Sequence, residues 1–311
     1  MTSMSAREST ELPAPSVEEV SPGVFGFVQL DGSWGLNNCG FIVGRDAVLA
    51  IDSCFTERRT RGLLDTIRRH GGALPVQALV NTHHHGDHTF GNYLFPTATI
   101  IGHEKCREMI LREGLGTRNF FPGVDWGEIA IAPPTVTFAD RLDLWVDDLQ
   151  IELISVGPAH TTNDIVAWIP ERKVLFAGDV IFRGGAPFAL AGSIHGWLEA
   201  LDRLRALGAE IIVPGHGAIC GPDVIDDLAA YLQLVLDAAA RGIEANLEPL
   251  EVARQLDLGR FGEGLDGERL PANLHRAYSE LRGEPRGVPL PANAVRDMIA
   301  FNGGNLPTCL A

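Results

Sequence analysis

Residues 83–88 read His-His-His-Gly-Asp-His, four imidazoles and one carboxylate within six positions. Imidazole nitrogen and carboxylate oxygen are ligands that zinc and similar divalent metals accept. The segment follows Gln77-Ala78-Leu79-Val80-Asn81-Thr82, an apolar run with the length of a short buried strand. Side chains alternate in an extended chain, so His83 and His85 share one face while His84 points the other way. Gly86 then turns the chain, and Asp87 and His88 return from a second direction. Strand end, turn glycine and acidic ligand together fit a metal site better than a solvated polar loop.

Three further residues have ligand chemistry at similar places. His160 follows the strand-like run ending at Val156, Asp179 follows Phe176-Ala177-Gly178, and His216 follows Ile211-Ile212-Val213-Pro214-Gly215. A single loop histidine is more often an ordinary hydrogen-bonded residue. Four strand-end sites of one chemistry instead predict convergence along one sheet edge.

The elements that must position them alternate in type. Strand-like runs occupy 24–28, 39–43 and 47–52, with Gly44-Arg45-Asp46 as a hairpin turn. A helix is expected from Glu57 to about Arg69, stopped by Gly71-Gly72. The strand before the histidines, a strand near 97–101 and a helix over 104–112 follow. Residues 114–134, rich in Gly, Pro and aromatics (Phe120, Phe121, Trp126), read as a long functional loop. Strands are expected at 135–138, 141–146, 150–156, 164–169 and 173–176, a helix at 198–207 and a last strand at 210–213. Two such halves facing each other make an α/β fold of αββα sandwich type. Residues 1–20 read as a flexible tail, 21–220 as the sandwich domain and 221–311 as a helical C-terminal extension.

With 311 residues and 45% hydrophobic content the chain can bury a large core. It holds no apolar run of about eighteen residues, so no membrane span is expected. The first twenty residues lack the apolar stretch of a signal peptide, and the five scattered cysteines show no CxxC spacing. Reduced thiols and a cytoplasmic location are therefore expected. Cys220, close after His216, is a minor candidate for the site. The net charge of -15 argues against a nucleic-acid partner. Arg58-Arg59-Thr60-Arg61 and Arg68-Arg69-His70 make a basic helix face, either solvated or a docking patch for an acidic protein.

In order along the chain, these residues resemble the metallo-β-lactamase superfamily, whose pattern is HxHxDH, then His, Asp and His, each at a strand terminus. The resemblance implies one metal held by His83, His85 and His160 and a second by Asp87, His88 and His216, with Asp179 bridging. Asp87 and Asp179 are then the catalytic carboxylates. It implies two Zn2+, with Mn2+ or Fe also fitting, and a bridging water acidified to a hydroxide nucleophile. His85 stands where the redox diiron branch has Glu, which favours hydrolysis over electron transfer.

Softer segments point to a branch. Ser33-Trp34-Gly35-Leu36-Asn37-Asn38, His160-Thr161-Thr162-Asn163-Asp164 and the ending 302–311 resemble the cyclase-thioesterases of bacterial aromatic (type II) polyketide pathways, the actinorhodin type. That resemblance implies a carrier-bound polyketide thioester as substrate, ring closure by aldol addition, and thioester hydrolysis. It makes an acyl carrier protein a partner, with a homodimer as a further expectation. The runner-up is a general thioester or lactone hydrolase of glyoxalase II type, although no basic glutathione-binding set is visible near the C-terminus. A metal-binding scaffold without catalysis is the alternative of another class. His195 is a minor candidate acid or base; His70, His103 and His275 read as structural.

Overall fold

The computed structural model describes residues 14–29 and 31–311. The first half runs β1 (Ser16–Ser21), β2 (Val24–Val28), β3 (Cys39–Val43), β4 (Val48–Ile51), α1 (Glu57–Gly71), β5 (Val76–Val80), α2 (Gly86–Thr89), β6 (Thr99–His103), α3 (Glu104–Glu113) and β7 (Val136–Phe138). Its strands lie side by side in chain order as a seven-stranded sheet. The hairpins β1–β4 are antiparallel. From β4 to β7 the pairing is parallel, because α1, α2 and α3 carry the chain back between strands.

The second half runs β8 (Arg141–Val146), β9 (Leu149–Ser155), β10 (Ile165–Ile169), β11 (Val174–Phe182), α4 (Ile194–Leu207) and β12 (Ile211–His216). It forms a five-stranded sheet ordered β12-β11-β10-β9-β8. The extension supplies α5 (Asp223–Glu244), α6 (Pro249–Gln255), α7 (Leu270–Leu281) and α8 (Asn293–Phe301).

Apolar side chains decide how these layers stack. Val24, Ile42 and Ile51 of one sheet meet Leu153, Phe176 and Val213 of the other in a common core. The outer face of the first sheet is covered by Leu63 and Ile67 of α1. The outer face of the second meets Trp197 and Leu201 of α4, Leu232 of α5 and Leu274 of α7. Burial of such side chains is worth about 1.5–3 kcal/mol each. The result is the expected αββα sandwich, with the extension packed into the core of its second half.

The structure departs from expectation in three places. Residues 16–20, expected within a tail, pair with β2 as an edge strand, with Ser16 opposite Val28 and Glu19 opposite Phe25; residues 1–13 lie outside the described residues. Residues 173–176 are only the start of β11, which continues through Gly178 at φ +50° to Phe182. Helix α4 begins at Ile194, four residues earlier than expected, because the Ser193 hydroxyl caps it by accepting from Gly196 N. Two arginines of the basic face of α1 pair within their own helix while staying exposed: Arg61 with Glu57 at 2.6 Å and Arg68 with Asp65 at 2.7 Å. Among the described residues no helix is long and apolar enough to cross a membrane.

Candidate metal centre

Strand ends deliver the ligand-type residues. The chain leaves β5 into His83–His85 and turns through α2, which carries Asp87 and His88. His160 sits in the loop between β9 and β10, Asp179 within β11, and His216 at the last position of β12. All seven come together. Ligand atoms of His83, His85, His160 and Asp179 lie within 4.8 Å of one another, as do those of Asp87, His88 and His216. Asp179 joins the two groups, with Oδ1 3.0 Å from His88 Nε2 and Oδ2 3.3 Å from His160 Nε2 and 3.4 Å from His216 Nε2.

Outer partners aim the imidazoles. His88 Nδ1 contacts Asp52 Oδ2 at 2.8 Å, His83 Nδ1 meets Thr82 Oγ1 at 3.1 Å, and His216 Nδ1 meets the Gly32 carbonyl at 3.0 Å. His160 Nδ1 meets the Phe188 carbonyl. With one nitrogen held outside, the other faces the centre. Asp52 is itself fixed by Thr82, whose N–H and hydroxyl donate to its two oxygens at 2.8 and 2.7 Å. Asn38 Nδ2 donates to the carbonyls of Pro214 and Gly217, tying the His216 loop to the first sheet. A Cβ on Gly215 would overlap Asp179 Oδ1, so only glycine lets β12 pass that close.

Charge divides the cluster in two. Burial pulls His83 and His85 well below the ordinary histidine pKa and His160 down to about 4. Burial acts the same way on His88 and His216, but surrounding carboxylates outweigh it. Asp179, Asp52 and Asp87 hold His88 well above its usual value, and Asp179 and Asp87 raise His216 to about 9. Burial pushes Asp179 up, yet His216, His88 and His160 overcome it and hold that carboxylate well below its usual range.

The cluster fits divalent cations. His83 Nε2 is buried and has no hydrogen-bond partner, a costly state for a polar atom unless an ion completes it. His83, His85 and His160 would hold one cation and Asp87, His88 and His216 the other, with Asp179 between.

Above the cluster lies a cavity of about 240 Å³. Its floor includes Asp87, His160, Asp179 and His216, and its walls are aromatic: Trp34, Phe55, Phe120, Phe121, Phe182 and Phe188. The extension contributes Arg269, Val295 and Met298, and the last residues contribute Pro307. Arg269 lies over the Trp34 ring at 3.9 Å and pairs with Asp266 at 2.8 Å, while Trp34 Nε1 donates to Glu268 at 2.7 Å. Trp34, His160 and Pro307 bring all three of the softer sequence segments to this cavity.

Other candidates fall elsewhere. Trp126 is buried with Phe55 and Phe90 and does not line the cavity. His195 pairs with Glu280 at 2.7 Å outside it, and the Cys220 thiol points to the Ile212 carbonyl. His103 caps α3 by accepting from Lys105 N, and His275 pairs with Asp297. His84, set aside as facing away, does line the cavity, with Nε2 3.5 Å from Glu113 and Nδ1 3.0 Å from Asn163 Nδ2. Asp52 ends an apolar strand run just as Asp179 follows one, so the same signal marks it in the sequence. Gly32 and Phe188 act through backbone carbonyls and leave no residue-type signal.

Residues 32–216, more than half of the chain, match the family model of the metallo-beta-lactamase superfamily, and the chain belongs to that superfamily. It is similar to the 2,4-dinitroanisole O-demethylase subunit alpha of a Nocardioides species, 27% identical over 212 residues, which are 67% of this chain and 57% of that protein. A hydroxyacylglutathione hydrolase of Rhodospirillum rubrum is 33% identical over 141 residues, 44% of this chain and 46% of the other. The chain thus spans about half the length of these relatives. A solved metallo-beta-lactamase from Pontibacter korlensis has a TM-score of 0.60 at 21% identity, covering 70% of this chain and 99% of that one, which shows a common fold.

Proposed function

We propose that the chain is a dinuclear metal-dependent hydrolase that cleaves the thioester of a bulky aromatic acid, in the manner of a polyketide cyclase-thioesterase. The observation that carries this reading is the aromatic cavity directly over the seven-residue cluster. Flat rings stack on Phe and Trp faces, and apolar walls exclude water from a reacting carbonyl. The seven residues would hold two divalent cations, a donor set that suits zinc, and these would supply a nucleophile from water at neutral pH and polarise the carbonyl. The chain's own part is to orient the acyl group against the aromatic wall that holds Trp34 and Phe121, and to hold the imidazoles through Asp52, Thr82 and Gly32. Glu113 and His84 are the cavity groups placed to carry a proton toward solvent.

A glutathione thioester is the second reading, favoured by the similarity to hydroxyacylglutathione hydrolases. Glutathione brings two carboxylates, whereas Arg269, the one guanidinium lining the cavity among the described residues, is already paired with Asp266. The walls therefore favour the aromatic acid.

The test compares naphthoyl and lactoylglutathione thioesters with the metal-loaded chain, alongside metal analysis. Naphthoyl thioester is expected to turn over faster, and Asp179→Ala to abolish cleavage. Faster lactoylglutathione cleavage selects the second reading. Metal binding without any thioester cleavage selects the scaffold, and cleavage retained in Asp179→Ala overturns the dinuclear mechanism.

A further inference from the structure

A groove of about 450 Å³ lies between α3 and the stretch 287–295 that leads into α8. Glu113, Leu190, Ala191 and Val295 line both this groove and the cavity over the metal residues, so the two spaces adjoin. The groove is also lined by Arg276 of α7, whose side chain is fully buried. Its guanidinium donates to the carbonyls of Ala189, Leu190 and Val288, none of which carries a charge. The remaining nitrogen, Nη1, has no hydrogen-bond partner. A buried cation whose bonds reach only neutral groups is expensive to keep, and an anionic ligand is what would complete it.

The rest of the groove agrees. Lys105 and the exposed Arg112 stand on α3, across from Arg276. Two carboxylates also line it, Glu108 and Glu113, and Glu113 is occupied by His84 at 3.5 Å and Arg112 at 3.8 Å. Three cations and two carboxylates line the groove itself, while Glu280 and Glu284 act on Arg276 from outside that lining. Between the charged groups the surface is apolar, with Met109, Pro289 and Leu290.

We propose that this groove seats a 4′-phosphopantetheine arm, with its phosphate at Arg276 and Lys105 and its thioester in the adjoining cavity. The inference rests on the thioester reading above. A guanidinium edge and an ammonium suit a phosphate, the gem-dimethyl carbons suit the apolar stretch, and a linear arm joins two neighbouring spaces. It places the anion-recognising residues on α3 and α7, away from the basic face of α1.

The test is calorimetric titration of the metal-loaded full chain with S-methyl phosphopantetheine and S-methyl pantetheine, the methyl groups keeping free thiols off the metals. The phosphorylated ligand is expected to bind at least about tenfold tighter. Reversal of the exposed pair, Lys105→Glu with Arg112→Glu, is expected to bring that ratio toward one. So is Arg276→Met, provided circular dichroism shows it folded; the exposed pair decides if it is not. Equal affinity of the two ligands for the wild type, or a preference untouched by reversal of the exposed pair, overturns the proposal. Methylated coenzyme A distinguishes the sources: tight binding admits coenzyme A thioesters, and exclusion of its nucleotide end assigns the groove to a carrier-bound arm. A phosphate preference without thioester cleavage would overturn the hydrolase reading while leaving the subsite standing.

Discussion

Acid should strip the two half-sites at different pH. His160 titrates at about 4, and His83 and His85 lie well below the ordinary value, so their half-site is deprotonated from about pH 5 upward. In the other half-site His216 sits at about 9 and His88 is also raised. A metal entering there must displace a proton from His216. At pH 7 that imidazole is two pH units below its pKa, and at about 1.4 kcal/mol per unit the displacement costs about 3 kcal/mol. The second equivalent of Zn2+ should therefore bind about fiftyfold more weakly at pH 7 than at pH 9, where His216 is half deprotonated, while the first changes little.

Chelator competition at pH 6, 7 and 8 measures both steps. Calorimetry in buffers of different ionisation enthalpy counts the protons, with at least one expected for the second ion and none for the first. The metal-free fold should show the opposite trend. A raised His216 stabilises it fully below the ordinary value of 6.5, and that contribution is lost as pH rises through 9, so its Tm should fall over that window. Equal pH slopes for the two ions would refute the division of charge derived from Asp87 and Asp179.

Other perturbations test separate parts of the site. Asp52→Asn removes the charge that holds His88 Nδ1 and is expected to weaken the second ion about 10- to 100-fold, read by chelator competition, with the first ion little affected. Gly215→Ala drives a methyl into Asp179 Oδ1 and the Gly178 backbone; a loss of about 1–3 kcal/mol in denaturant unfolding and of the second ion is expected. Trp34→Ala removes a wall held by Arg269 and Glu268, and should raise KM for a naphthoyl thioester about tenfold while changing an acetyl thioester little. Equal effects on both thioesters would show that Trp34 does not contact the acyl group.

Local pattern carried most of the fold. β8 spans Arg141–Val146, at its expected bounds, because its apolar residues alternate without a break. β1 carries little local signal because Ser16-Val17-Glu18-Glu19-Val20-Ser21 is polar in composition; pairing with β2 and the packing of Val17 and Val20 on the cores hold it. Gly178 resembled a strand end, but its left-handed backbone lets β11 continue and brings Asp179 to the centre of the cluster.

The seven ligand-type residues were legible because ligand chemistry belongs to the residue type, and a strand end after an apolar run is a local signal. His83, His85, Asp87, His88, His160, Asp179 and His216 are all brought together. Tertiary structure alone decided which nitrogen of His88, His216 and His160 faces inward, since Asp52, Gly32 and Phe188 reach them from distant segments. It also built the cavity, joining Trp34 to Glu268 and Arg269 across more than two hundred residues. His84 belongs to the same lesson: alternation turned it from the metals, and the fold then set Glu113 and Asn163 around it at the cavity wall. Such contacts depend on which surfaces pack together, and neither residue type nor sequence spacing encodes that by itself.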